Sequence, residues 1–381
     1  MGKCCAILFL IVILMMNACK KPYQPAAITT NYNYLVVEGV INTGANAVTS
    51  ITLSRTSNIG DTMTITHRET GAQVTIESGT GGSYALMAQG NGLYQSVPLS
   101  LNTSDTYRLK IITATGSTYT SDFVVVKQSP PIDSVTWKQD KGLTLYVHTH
   151  DPLNKTIYYR WEYTETWQYR SELDATLGVK NGRIFYRDSS TQVYNCWGTA
   201  NSTNIISAST LVLEKDVISY TPLTVIPDST EKLAIRYSIN VLQYALTSDA
   251  YQYWDILKKS TQQTGTLFDA QPSQVTGNIH CVNNPSEPVL GFMTACSISQ
   301  KRIFIDNSQL NNWVYNNTAN SICVQVNGAQ DPNDYLHFTY PDTTYSPYYF
   351  ITAGNQIALY KTPCLDCTRH GGTNIKPSFW Q

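Results

Sequence analysis

The chain predicts a mainly β protein, with an N-terminal immunoglobulin-like or transthyretin-like β-sandwich at residues 34–128 and a larger β-rich domain carrying one substantial helix at 132–381. Three observations predict it. Short runs in which apolar and polar residues alternate recur through the first half, the pattern of strands with one buried face. Charged residues make up only 14% of the chain while Tyr, Thr, Ser and Asn are abundant, against roughly 25% charged in average soluble proteins. Finally, Ser129-Pro130-Pro131 interrupts the pattern, because proline fixes φ, lacks a backbone donor and holds its predecessor extended.

In chain order, residues 6–16 are an unbroken apolar run behind Lys3, ending at Asn17-Ala18-Cys19. That run is too short to span a bilayer and reads as a signal peptide, residues 1–18. Its ending has the form of a bacterial lipobox, which makes Cys19 the lipidation site. Acyl chains contribute roughly 0.8 kcal/mol per buried CH2, so three of them give stable attachment. The expected location is the outer membrane, lipid-anchored, with the periplasmic or surface leaflet left open. Residues 19–33, polar with Pro22 and Pro25, read as a tether.

Strands are predicted at 35–41, 48–55, 73–77, 84–87, 93–97, 107–113 and 119–126. Val74 and Ile76 point one way and Thr75 and Glu77 the other, and the glycines at 79–82 and 90–92 supply tight turns. Two antiparallel sheets, each with an apolar face to hide, pack naturally as a sandwich. Beyond the prolines, strands are predicted at 134–137, 143–149, 158–169, 211–213, 232–241, 289–297, 301–305, 321–326 and 357–360. A helix is predicted at 249–263, where Ala250, Tyr253, Trp254 and Leu257 recur at helical spacing, Ser248 caps the start, and Lys258 and Lys259 suit the negative end.

With 26 basic and 27 acidic residues the net charge is −1, and no basic stripe is present to release counterions from phosphates. Nucleic acid is therefore not an expected partner. Of nine cysteines, Cys4 and Cys5 leave with the signal. Cys196, Cys281, Cys296, Cys323, Cys364 and Cys367 remain for up to three disulfides in an oxidising envelope. One CxxC is too little for a structural zinc, and no metal or cofactor is expected.

Two clusters invite a functional reading. His148 and His150 share one face of a strand beside Asp151, but Asp151-Pro152 reads as a turn with the aspartate capping local backbone. In 158–169, period two places Tyr159, Trp161, Tyr163, Trp167 and Tyr169 with Glu165 on one face, and Tyr158, Arg160, Glu162, Thr164 and Thr166 on the other. An exposed row would make Trp161, Glu165 and Trp167 a glycan or peptide platform. A buried row would be core, with Glu165 requiring a partner. Arg160 and Glu162 read as a surface ion pair or as cross-strand partners. No hydrolase or phosphate-loop motif is present, so the chain is not expected to be an enzyme.

Several stretches together resemble a Bacteroidota lipoprotein family that carries the domain of unknown function 4249. They are Tyr34-Leu35-Val36-Val37-Glu38-Gly39, Thr149-His150-Asp151-Pro152, Tyr158 through Trp167, Ile235-Arg236-Tyr237-Ser238, Gln271-Pro272-Ser273-Gln274, Gly277-Asn278-Ile279-His280-Cys281, Cys364-Leu365-Asp366-Cys367 and Gly371-Gly372-Thr373-Asn374. The resemblance implies an outer-membrane lipoprotein acting as a non-enzymatic accessory or substrate-capturing subunit of a TonB-dependent transporter. It also implies a Cys196 to Cys281 disulfide, and resemblance to Bacteroidota O-glycosylation sites at Asp61-Thr62-Met63 and Asp228-Ser229-Thr230. The alternatives are a stand-alone glycan or peptide binding lipoprotein and an envelope hydrolase.

Overall fold

A computed structural model describes residues 33–57, 67–181, 183–262, 276–313, 315, 323–330, 338–339, 344–351 and 356–380. The signal, Cys19, the tether up to residue 32 and Asp61-Thr62-Met63 lie outside them. The fold is mainly β with one substantial helix, as expected.

Among the described residues nine strands precede the prolines: β1 (Leu35–Asn42), β2 (Ser50–Arg55), β3 (His67–Arg68), β4 (Gln73–Ser78), β5 (Ser83–Gly90), β6 (Leu93–Ser96), β7 (Thr106–Ile112), β8 (Thr118–Ser121) and β9 (Val124–Lys127). Their alternation buries Leu35, Val37, Ile51, Leu53, Val74, Ile76, Leu109 and Ile111 in one core, where each large aliphatic contributes about 1.5–3 kcal/mol. Three fully buried tyrosines keep their hydroxyls bonded: Tyr94 to Glu69 O, Tyr107 to Asn102 O and Tyr119 to the Glu287 carboxylate. At Gly39, φ is +139° and a Cβ would stand 2.4 Å from Ser50 O. Glycine there lets β1 change phase, so that Val40 faces the second half of the molecule while Ile41 returns to the first core.

The first sheet is completed from far along the chain. β19 (Ile279–Cys281) pairs with β8, and β20 (Ala295–Cys296) lies parallel between β1 and β9. Because β9 also pairs with β7, hydrogen bonding runs unbroken around β1, β2, β6, β5, β4, β7, β9 and β20 in a barrel-like ring. The donated segment is held by Asn278, whose side chain bonds both Met293 N (2.7 Å) and Met293 O (3.0 Å). It is also held by Gly291 (φ +136°), which lies so close to β1 that a Cβ would be 2.3 Å from Val37 O. Residues 132–381, read from sequence as one following domain, thus lend two strands to the preceding sheet.

The second unit packs a three-stranded sheet, β10 (Ile132–Asp140), β11 (Gly142–His150) and β17 (Val217–Ile226), on a larger one built from β12 (Tyr158–Arg170), β15 (Asn195–Asn201), β16 (Ile206–Ser209), β18 (Arg236–Leu246) and β21 (Ile298–Asp306). Leu143, Leu145 and Val147 of β11 meet Tyr159, Trp161, Ile239 and Val241 in its core. The hairpin β13 (Leu177–Lys180) and β14 (Arg183–Tyr186) packs on a small sheet of β22 (Val326–Gln330), β23 (Phe338–Thr339), β24 (Tyr345–Ile351) and β25 (Gln356–Lys361). The helix α1 spans Ser248–Gln262, and its cap is Thr247, whose hydroxyl accepts from Ala250 N, rather than Ser248.

Only Ser297 separates β20 in the first sheet from β21 in the second. Its hydroxyl accepts from Ser129 N (2.9 Å) and its N–H donates to Lys127 O (3.1 Å), so the two crossings between units are tied together. Gln243 locks the same place: it donates to Pro130 O (2.7 Å) and accepts from the Trp161 indole (2.9 Å).

Some predicted strands differ. Residues 211–213 form an exposed turn, Glu231–Leu233 is a 3-10 turn before β18, and within 289–297 only Ala295–Cys296 is a strand. Strands β13 to β17 were not anticipated; β17 contains Pro222 and is an edge strand, where a missing donor is tolerated.

Candidate functional site

β12 is the spine of the second unit. Its Tyr158 end sits against α1 at the junction, where Tyr158 and Tyr251 rings lie 4.9 Å apart. Gln168 is ten residues further on, about 33 Å at the usual strand rise.

The aromatic row faces inward, which corrects the platform reading of Trp161, Glu165 and Trp167. Trp161 is fully buried and stacks on Tyr159, and Glu165 is 4% exposed. The Glu165 carboxylate accepts from Lys232 Nζ (2.6 Å) and from the Tyr237 hydroxyl (2.7 Å), which supplies the partner that burial demands. Lys232 also lies 4.9 Å from the centre of the half-buried Trp167 ring. Burial and the adjacent Glu165 charge push the Tyr237 phenol well above its ordinary value. On the other face, Arg160 does pair with Glu162: the Glu162 side chain is 42% exposed while Arg160 is 7% exposed, its guanidinium 4.2 Å from Trp254 of α1 and 4.6 Å from its cross-strand neighbour Tyr244.

The histidines and Asp151 do not converge. His148 bonds Thr136 (2.8 Å), His150 bonds Asp133 (2.8 Å), and the Asp151 carboxylate accepts from the N–H groups of Leu153, Lys155 and Thr156, each 2.9 Å. Among the described residues no group of three His, Cys, Asp or Glu is placed to hold a metal.

The cysteine pairing also requires correction. Cys196 is joined to Cys367, not Cys281, and Cys323 is joined to Cys364. Cys281 and Cys296 are free and buried in the donated strands, so these six form two disulfides rather than three. Burial pushes the Cys296 thiol up to about 12.

At the far end of β12 opens a cleft of about 640 Å3. Gln168 and Arg170 of β12, Asn195 and Trp197 of β15, and Arg236 of β18 form its floor; Gln192 and the C-terminal Asn374, Lys376 and Trp380 form its walls. The C-terminal segment is fixed in place. Trp197 and Thr373 exchange both backbone hydrogen bonds (2.8 and 3.0 Å), Asn374 donates to Gln192 O (2.8 Å), and Trp380 sets its ring edge-on to Trp197 and Phe304. The Cys196–Cys367 bond lies one residue from Trp197.

Among the described residues, three cations and no carboxylate line this cleft. Arg236 pairs with Asp306 at 3.3 Å, while Arg170 bonds the neutral Asn195 amide (3.1 Å). The Trp197 indole N–H is buried without a hydrogen-bond partner among the described residues. Amide groups, the Arg170 and Lys376 charges and two indoles suit a polar ligand with a ring and an anionic group. A second cavity, about 510 Å3, lies beside Tyr34. There Arg55 is already paired with Glu69 (2.6 Å), and Glu287 takes the Tyr119 hydroxyl (2.7 Å), so its charges are satisfied internally.

Sequence reasoning did not single out the cleft residues, because they come from separate segments. The available signals were Trp197 next to a cysteine, and Arg236 and Asn374 inside family-like stretches.

Among solved structures, the chain is similar to a DUF4785 family protein from Legionella pneumophila at 11% identity, over 54% of this chain and 51% of that one, TM-score 0.19. It is also similar to the adhesin InvE of Yersinia pseudotuberculosis at 13% identity, over 55% and 56%, TM-score 0.15. A third is the BSP domain of a biofilm associated protein at 8% identity, over 75% and 62%, TM-score 0.14. The chain therefore spans less than two thirds of each, and such low scores support no argument about fold or function. No curated protein matches. The model of the domain of unknown function DUF4249 matches residues 20–302, most of the chain, and the protein belongs to that family.

Proposed function

We propose that the protein is a Bacteroidota lipoprotein of the outer membrane, anchored at Cys19, that captures a polar ligand without chemically changing it and serves a TonB-dependent transporter as an accessory subunit. The cleft at the far end of β12 carries this reading: rigid walls, three cations and two indoles form a site for holding a ligand. Its distance along β12 from the junction, together with the ties at Ser297 and Gln243, supports a stiff arm that displays the cleft away from the N-terminal ring.

The anchor supports the same reading, since three acyl chains hold a protein where a membrane transporter works. Affinity purification of the lipoprotein from gently solubilised outer membranes tests it. The expected result is co-purification of a TonB-dependent barrel, weakened by Arg170→Gln with Lys376→Gln if ligand bridges the two. A lipoprotein recovered alone, under conditions that preserve known transporter complexes, overturns the transporter part and leaves a stand-alone binder.

A further inference from the structure

Two neighbouring loops hold aliphatic side chains out into solvent. Leu153 is 69% exposed, Leu211 63%, Val212 91% and Leu213 52%. Exposed apolar residues scattered singly are ordinary, but a cluster on adjacent loops marks an interaction site. The loops are also built to stay in place. Asp151 N donates to Asp216 O (3.0 Å), Asp216 N donates to the Asn154 side chain (2.8 Å), and the buried Asp151 carboxylate accepts three N–H groups of its own turn. The buried Asp216 carboxylate accepts from the Thr210 hydroxyl (2.9 Å) and the Tyr159 hydroxyl (2.6 Å). Two buried carboxylates thus brace a pair of tips whose apolar side chains are left uncovered by the described residues.

We propose that these loops dip into the lipid bilayer, with Leu153, Leu211, Val212 and Leu213 among the acyl chains and Lys155 and Lys215 at the headgroups. Protein hot spots favour Trp, Tyr and Arg over Leu and Val; the four outermost apolar side chains here are all aliphatic, which suits lipid, and the exposed Glu214 beside Leu213 is outnumbered by Lys155 and Lys215. Lys155 and Lys215 are exposed, one on each loop, and such side chains reach anionic headgroups with their ammonium groups while their stems cover apolar surface. The tether permits the contact: residues 19–33 extend up to about 50 Å. The inference rests on the lipid-anchor reading for that last point and is independent of the cleft.

The test uses the acylated protein in vesicles of phosphatidylethanolamine and phosphatidylglycerol, spin-labelled at Val212→Cys, with Val97→Cys, 62% exposed on the first unit, as the aqueous reference. The native thiols Cys281 and Cys296 are buried and remain unlabelled. The label at 212 is expected to collide several-fold more with oxygen and less with a water-soluble nickel complex than the label at 97. Equal aqueous behaviour at both positions overturns the proposal. So does shielding from both oxygen and nickel, the signature of a protein contact. In a second measurement, the chain beginning at Lys20, which carries no acyl group, is sedimented with the same vesicles. Serine at all four apolar positions should lower its bound fraction several-fold, and an unchanged fraction overturns the loop proposal whatever the state of the anchor.

Discussion

The ring of the first unit and the sandwich of the second bury their weak points by different means. The ring has no disulfide among its described residues and closes by borrowing β20, while the borrowed β19 extends its sheet at β8; these two strands carry the two free thiols. The second unit keeps its open end together with Cys196–Cys367 and Cys323–Cys364 and with a C-terminal segment docked on β15. An unpaired strand edge is an invitation to aggregate, so the ring depends on chain 150 or more residues away. The cross-linked end instead depends on the redox state, and the cleft lies there.

The largest effect should come from cutting the ring off from its borrowed strands. Residues 33–128 alone leave β1 and β9 without β20, and we expect no cooperative thermal transition and concentration-dependent aggregation. A sharp melt of that fragment would show that the ring closes without β20.

Next in size is the disulfide pair Cys196→Ser with Cys367→Ser. The bond spans 171 residues, and loop-closure entropy sets its contribution at up to about 5 kcal/mol. Urea denaturation should show the loss, and proteolysis should begin in the C-terminal segment while the ring remains protected. Cleavage starting in the ring would erase the contrast between the two units.

Trp161→Ala should cost about 3–5 kcal/mol as a buried cavity, read from the urea midpoint. Trp161→Phe should cost less, about 1–3 kcal/mol, much of it from the Gln243 carbonyl left without its donor. A negligible loss in Trp161→Phe would mean that the indole N–H contributes nothing to the junction.

The smallest effect concerns acid. Burial alone would raise the Asp151 carboxyl, but three backbone donors outweigh it and hold the group below its ordinary value. Its stabilisation is present above the unfolded carboxylate value of about 3.9 and is lost as pH falls through the depressed folded value. Asp216 has the opposite sign: burial raises it, so its contribution is present below that unfolded value and lost as pH rises through the folded one. Asp151→Asn should therefore flatten the acid limb of the thermal-melt profile below about pH 4; an unchanged limb would place the acid sensitivity elsewhere.

Much of the local structure was legible. The alternation of Val74 and Ile76 with Thr75 and Glu77, the faces of 158–169 and the helical spacing of Ala250, Tyr253 and Trp254 all appear in the structure as strand or helix. The limits were local ambiguities and distant partners. Leu211-Val212-Leu213 has the composition of a strand but forms a turn, because Asp216 and Thr210 fold it back. Glu165 pointed to a missing partner, yet nothing near it in sequence identified Lys232 or Tyr237. Arg170, Trp197 and Lys376 carry no shared motif.

By itself, then, the sequence determined the mainly β class, the division of 158–169 into two faces and the position of α1, because each is written in the periodicity of one short segment. Tertiary structure alone decided that β20 completes the ring, that Cys196 meets Cys367, and that Arg170, Arg236 and Lys376 share a cleft. Those outcomes depend on which distant segments meet once every sheet face and edge has been buried, and one-dimensional periodicity carries no record of such long-range closure.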